Sequence, residues 1–532
     1  MADKPREHEK VYSPETLVIG LLMAALAAII SMQIISRIGI TPNTSIIGAI
    51  VAMSIARIPL AFLTRFRSLE RQNLIQTMTS AGGFAAANLG LLAVAIIFLI
   101  GRTDLIYPML IGALVAGAID IILVYKIYDS DLYPATNAWP PGVAAAQAIL
   151  AGDVGGQRAK RLIQGVVVGA IGTHFGLPMA GIGIVFIANI FAIASLGVGL
   201  IVRGYSAEVF GLYVGDTFIP HGFMIGAGLV ALVQAIVIII RGRKEELRKR
   251  REREESGIEE EHYEGKPTVT PEEVRKSLVH HLGLFLAGAA LLAVISTLWV
   301  EATAGMVVLW IVYAGLAAVI STLLVGLAAM HSGWFPGFAI TVIFLSLGLF
   351  MRIPPVPLAL LTGFVACTGP VFADMGYDLK AGWMLRGRGK DVLYEKAGRK
   401  QQLFAELLGL LVAMVIVGIF MWMHFELDEV PPISRVFSDT VFAAAEPAMA
   451  REMALWAIPG IILQAVGGVR RMMGVLFATG LLIHNPIYGI GIILAVIVRM
   501  IIGTEPMEVR EAGLIAGDGI YGFISGAIRA LF

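Results

Sequence analysis

The sequence predicts an all-α polytopic membrane protein, and three observations predict it. Of 532 residues, 57% are hydrophobic and only 15% charged, where soluble domains carry roughly a quarter charged residues. Mean hydropathy is +0.81. Apolar runs recur along the whole chain at the roughly 20 residues needed to cross about 30 Å of hydrocarbon as helix, and lipid forbids the unpaired edges of an open sheet. The 60 glycines fit close-packed membrane helices.

Residues 1–14 are polar and of mixed charge. They read as a cytoplasmic tail rather than a signal peptide, because the first apolar run, Thr16–Ile35, is too long for one and lacks a cleavage site. In the first half, spans fall near 15–37, 43–64, 74–100, 105–126, 178–202 and 221–241. In the second half they fall near 277–300, 303–330, 334–351, 355–373, 403–423, 453–466, 472–484 and 486–503. Shorter apolar pieces lie at 131–152, 161–175, 205–219, 438–450 and 510–532, broken by Tyr133-Pro134, Trp139-Pro140-Pro141-Gly142 and Ile219-Pro220-His221-Gly222. Such pieces suit half-helices or re-entrant segments, which membranes tolerate where protein or a wet cavity covers the free backbone. Counting them gives about 14–16 transmembrane helices.

Charge orients the chain. The stretch 241–276 carries eleven Lys/Arg and eleven Asp/Glu and reads as a solvated cytoplasmic linker. Seven more basic residues lie in 376–402, and Arg65–Arg71 is basic too, whereas His424–Arg435 is acidic. By the positive-inside rule the first three segments and the N-terminus are cytoplasmic. A net charge of +1 leaves no basic footprint for nucleic acid. The single Cys367 excludes an intrachain disulfide and a cysteine metal site.

An internal echo divides the chain. Gly211-Leu-Tyr-Val-Gly215-Asp216 reappears as Gly513-Leu-Ile-Ala-Gly517-Asp518, and Val143-Ala-Ala-Ala-Gln147 as Phe442-Ala-Ala-Ala-Glu446. Two related halves, 15–240 and 277–532, joined by the 241–276 linker, account for both. Span counting gives 105–126 and 403–423 opposite directions, which favours an inverted repeat with 277–300 as an extra crossing. The basic Arg158–Arg161 and Arg470-Arg471 resist that reading, since they would then face opposite sides.

In a transporter built from repeats, the substrate site lies where discontinuous helices meet. Asn73, Gln76 and Thr77 open the span at 74–100, and buried amides suit a polar substrate as well as they suit helix–helix contact. Asn137 precedes the Trp-Pro-Pro-Gly break and Gln147 follows it, where a helix N-terminus would offer N–H groups to an anion. Glu446 is an ionisable residue in an apolar run and so a candidate proton carrier. Asp216 and Asp518 follow Gly at one point of both repeats, which favours helix capping over a proton role, with His221 near Asp216. His484-Asn485-Pro486 breaks another apolar stretch. No Walker A, HExxH or GxSxG occurs, so neither an ATP-driven pump nor an enzyme is indicated, no cofactor or resident metal is expected, and an ion gradient must supply the energy. A membrane hydrolase built on paired Asp residues is the remote alternative.

Gln72-Asn-Leu-Ile-Gln76-Thr77, Tyr133-Pro with Pro141-Gly142-Val-Ala144, Asp374-Met-Gly-Tyr-Asp378-Leu-Lys380-Ala-Gly382-Trp-Met-Leu385 ahead of Lys400-Gln401-Gln402, and the closing Gly-rich run to Asp518 resemble segments of the oligopeptide transporter superfamily, which includes the yellow stripe-like metal-chelate transporters. The resemblance implies a proton-coupled symporter importing small peptides, or alternatively metal–chelate complexes, across the cytoplasmic membrane. It also implies roles for Asp374, Asp378 and Lys380 in coupling or gating, and admits a homodimer that the residues do not themselves specify. Read from the residues alone, those three form an inner-mouth cluster where a helix at 355–373 ends, either a salt-bridged gate or a capped junction. Glu70 stands two residues ahead of Gln72, displaced from the family's Glu-Asn pair, and the Asn-Pro-Gly hallmark of the eukaryotic peptide clade is absent.

Overall fold

The computed structural model describes residues 7–39, 68–137, 139–151, 157–231, 267–332, 337–443, 447–483 and 485–531, together with 233, 234, 237 and 335. The predicted span at 43–64 and most of the linker, with Glu446 and His484, lie outside the described residues. Within them every regular element is helical. The helices are α1 (Pro14–Ile38), α2 (Leu69–Ala85), α3 (Leu92–Leu99), α4 (Ile106–Ile127), α5 (Pro140–Ala151), α6 (Gln157–His174), α7 (Met179–Ile187) and α8 (Ile190–Phe210), then α9 (Ile219–Ala231). After the linker come α10 (Pro271–Ile295), α11 (Ala304–Ser332), α12 (Gly337–Phe350), α13 (Pro355–Ala366), α14 (Pro370–Leu385) and α15 (Val392–Glu426). The last five are α16 (Pro432–Ala443), α17 (Pro447–Arg471), α18 (Met473–Leu482), α19 (Pro486–Ile502) and α20 (Arg510–Leu531).

Among the described residues eight helical stretches are long and apolar enough to span a bilayer, and shorter apolar helices lie between them. Two stretches of 31 residues form the centre. In Leu69–Leu99, 89% of the apolar window is buried, and in Pro355–Leu385, 94%, against 33–61% for the other six. Both are irregular. A π-helical segment at Ala86–Leu91 joins α2 to α3, and α13 stops at Cys367 so that α14 can begin at Pro370. Gly369 makes that break with φ 98°, a conformation costly for any residue with a Cβ, and Pro370 then starts the new helix, where its missing N–H costs nothing.

Four expectations change, two of them spans broken by a single residue. The helix read at 355–373 is two helices, so Asp374 and Asp378 lie inside α14 and not at a loop mouth. The span read at 178–202 breaks at Ala188–Asn189, where Asn189 caps α8 by accepting from the N–H groups of Phe191 and Ala192. The basic segment 376–402 is mostly helix, leaving 386–391 between α14 and α15. At 1.5 Å per residue, the 35 residues of α15 extend about 52 Å, so its charged first turns project beyond the hydrocarbon. The piece at 510–532 is a full 22-residue helix.

Glycine sets the closest crossings. The GxxxG pairs Gly165/Gly169 of α6 and Gly513/Gly517 of α20 face each other. A Cβ on Gly169 would lie 2.5 Å from the Leu514 carbonyl, and one on Gly517 would meet that of Val166. Backbone approach of this kind is the usual packing of small residues in membranes. It also corrects the echo. Gly513–Asp518 is interior helix, whereas Gly211 ends α8 with φ 66° and Val214–Asp216 is a 3₁₀ turn. Two like hexapeptides therefore serve different purposes, and Asp216 and Asp518 share no capping role. Apolar residues gather into a large core drawn from α1–α4, α9–α16 and α18 and a second core drawn from α1, α7, α8 and α18–α20.

Candidate functional site

Three central helices each present a polar pair spaced i, i+4, which places both members on one face. α2 contributes Gln76 and Ser80, α14 Asp374 and Asp378, and α15 Gln402 and Glu406, and all six are buried. α2 and α14 run antiparallel, so the pairs meet in reverse order. Gln76 Nε2 donates to Asp378 Oδ1 at 2.5 Å, and Ser80 Oγ to Asp374 Oδ1 at 2.8 Å. From α15, Gln402 Nε2 donates to the Asp378 carbonyl at 2.6 Å and to Thr77 Oγ1 at 3.2 Å. Asn73 Nδ2 donates to Gln76 Oε1 at 3.0 Å. Asn73, Gln76 and Thr77 are thus brought together as expected, but their amides are engaged with protein groups rather than open to a solute.

One carboxylate oxygen from each of Asp374, Asp378 and Glu406 lies within 4.8 Å of the other two, and all three residues are buried. Both Glu406 oxygens lack a hydrogen-bond partner. The buried guanidinium groups of Arg386 and Arg399 are committed to other partners. Arg386 forms a bidentate pair with Glu395 at 2.8 and 2.9 Å and reaches Gln402 at 2.8 Å. Arg399 lies 3.3 Å from Glu395 and holds Thr268 and the Tyr128 carbonyl. Three like charges this close in a dry interior must be offset by protons or a hard cation, since burial and mutual repulsion both oppose ionisation. An all-oxygen set suits either.

Asp120 of α4 is the contrast. It too is fully buried in an apolar helix, yet it accepts from Thr322 Oγ1 at 2.6 Å, Gly369 N at 2.7 Å and Phe372 N at 3.1 Å. It caps the start of α14 from a neighbouring helix, where a negative charge also meets the positive end of the helix dipole. Asp518 does the same for α7 through Ala180 N at 2.6 Å, and pairs with Arg37 at 3.2 Å. These aspartates are architectural. Glu406 is not accounted for in that way.

Other expected residues are dispersed. Lys380 Nζ donates to the Ala135 carbonyl at 2.7 Å and lies 4.5 Å from the Trp383 ring centre. The α5 N-terminus offers no anion site, because Pro140 and Pro141 have no N–H and Gly142 N bonds the Trp139 carbonyl at 2.9 Å. Asn137 is half-buried, donating to Met330 Sδ, and Gln147 is exposed, away from the polar centre. Asn485 is exposed and caps α19 through Tyr488 N at 3.0 Å. His221 pairs with Asp439 at 2.5 Å rather than with Asp216. Gly517-Asp518-Gly519-Ile520-Tyr521-Gly522 has dinucleotide-fingerprint spacing but lies within α20 with no strand before it among the described residues, so the fingerprint has no meaning here. Glu406, Glu395 and Arg386 were not anticipated. Glu406 carried a readable signal, an ionisable residue inside the apolar run 403–423.

The sequence model of the family described as OPT oligopeptide transporter protein matches residues 12–199 and 209–528, nearly the whole chain. No curated protein matches it.

Proposed function

Because the chain belongs to the OPT oligopeptide transporter family, membrane transporters of oligopeptides or related substrates, we propose that it is a proton-coupled symporter importing small peptides across the cytoplasmic membrane. Its N-terminus and the 241–276 linker face the cytoplasm in this reading. One observation supports the coupling ion above others: the buried triad Asp374, Asp378 and Glu406, with no guanidinium or ammonium paired to Glu406. A group of carboxylates too close to ionise together takes up and releases protons as its surroundings alternate between the two faces of the membrane. Gln76 and Gln402 hold Asp378 through its carboxylate and its carbonyl, and Ser80 holds Asp374, all without adding charge. Alternating access then follows from exposing this layer first to one side and then to the other.

The test is uptake into proteoliposomes holding the purified chain. An inward proton gradient is expected to drive accumulation of labelled trialanine above the outside concentration, whereas a sodium gradient at equal pH gives equilibration only. Sodium-driven accumulation would transfer the triad to a metal cation. Accumulation of a ferric amino-carboxylate complex with no peptide uptake would replace the peptide by the chelate.

A further inference from the structure

A second polar feature lies at the end of the bundle where α1 and α15 finish, far along α15 from the triad. A cavity of about 430 Å³ is lined by Ser36, Arg203, His221, Asp428, Arg435 and Asp439, among others, a size within the range of small-ligand sites. Its charges are of both signs and unevenly matched. Arg435 and Asp428 neutralise each other at 2.7 Å. Arg203 has no carboxylate partner among the described residues: one Nη donates to the Leu481 carbonyl at 2.7 Å, the Tyr213 ring centre is 5.7 Å away, and the buried Nε bonds nothing. Asp439 is 38% exposed and bonds an imidazole, His221 Nε2, instead of a fixed cation. His221 is largely buried, and its Nδ1 is also without a partner.

We propose that this cavity captures a zwitterionic solute, a short peptide with both termini free, its carboxylate on Arg203 and its ammonium on Asp439. A guanidinium lacking a carboxylate partner offers N–H donors and a fixed positive charge to one. An ammonium arriving at Asp439 finds a carboxylate held in place by His221 but not neutralised by a fixed charge. The pairing also discriminates. Capping either terminus leaves Arg203 or Asp439 facing a neutral group, and a site built around a polar partner rejects a ligand lacking it. Arg203 on α8 and Asp439 on α16 belong to elements from either side of the linker, so one bound peptide ties the two together. The inference rests on the peptide-transport reading and adds to it the feature of the substrate that is recognised.

Binding is measured on the full-length protein in nanodiscs, with no gradient, using trialanine, N-acetyl-trialanine and trialanine amide. The unaltered protein is expected to bind free trialanine about tenfold or more tighter than either capped form, about 1.4 kcal/mol per decade. Arg203→Gln should erase discrimination against the amide and keep that against the acetylated peptide, and Asp439→Asn the reverse. Arg203→Lys, which keeps a cation in place, should lose less and guards against a folding defect. The proposal is overturned if the unaltered protein binds capped and free peptides alike, or if R203Q and D439N leave the pattern unchanged. Gradient-driven uptake separates the two readings. Unchanged terminal preference in the variants with intact proton-driven uptake removes only the cavity assignment. The expected binding pattern without any proton-driven accumulation removes only the coupling.

Discussion

Replacing Glu406 by Gln removes one charge from the triad and almost nothing else, because the side chain keeps its shape and neither oxygen holds a hydrogen bond that would be lost. Were all three carboxylates ionised with their oxygens within 4.8 Å of one another, each pair would repel by at least about 3.5 kcal/mol at an effective dielectric constant near 20. Glu406 takes part in two of the three pairs, so a neutral side chain there avoids at least about 7 kcal/mol of that repulsion. Two consequences follow. The triad then has one carboxylate fewer to load and unload, so the coupled step fails while the uncoupled exchange of solute across the membrane persists. The folded protein also becomes harder to melt, as is common when a functional strain is removed. The assay pairs proton-driven accumulation with counterflow exchange in proteoliposomes, and adds a thermal melt in detergent. E406Q should lose accumulation by about tenfold or more, exchange within about twofold of the parent, and melt at a higher temperature. Accumulation at parental levels, or a large drop in melting temperature, would refute the reasoning by showing the triad to be either uncoupled or structural.

Asp120→Ala should behave oppositely, losing about 3–5 kcal/mol of stability because it strands Thr322 and two N–H groups at the start of α14 in a dry interior; a melt of the purified variant reads this directly. Gly169→Leu should separate α6 from α20, since even a Cβ there would touch the Leu514 carbonyl, and limited proteolysis near residues 175–178 should accelerate. His8 is buried against the Tyr394 ring, and burial holds its imidazole below the ordinary value of 6.5. Its contribution to docking of residues 7–13 is therefore complete above about pH 6.5 and is lost as pH falls through the lower folded value. Hydrogen-exchange protection of that segment, corrected for the intrinsic pH dependence of exchange, should fall from pH 7.5 to 5, and His8→Phe should flatten the change.

Much of the architecture was legible because membrane helices declare themselves by length and apolarity. Where composition alone governs, as in α1, α4, α10 and α11, the expected spans end within a few residues of the observed helices, α10 excepted, which begins six residues early at Pro271 behind a Thr270–Glu273 capping box. The misreadings fall at breaks made by one residue. Gly369 and Asn189 end or restart helices inside apolar text, and hydropathy averages across them. The site was half legible for a different reason. Asn73, Gln76, Thr77, Asp374 and Asp378 stand out as polar residues within motifs, and they do converge. Their convergence depends on α2 and α14 lying antiparallel, which no local pattern states. Glu406 belongs to the same layer yet was absorbed into a hydrophobic run, although the rule that singled out Glu446 applied to it equally. Asn485 and Asp518 look functional in sequence because capping and catalysis call on the same short side chains, and only their hydrogen-bond partners separate the two uses.

Neither hydrophobic core is built from one half of the chain. The larger draws on α1–α4 and α9 before the linker and α10–α16 and α18 after it, and the smaller on α1, α7 and α8 before it and α18–α20 after it. Severing the polypeptide within 241–266 would therefore leave two fragments that each own part of both cores and all of neither. Expressed separately, both fragments should be degraded. Synthesised in the same cell they should fold only around each other, and the severed protein should come out of the membrane as a single species in which either fragment's affinity tag recovers both.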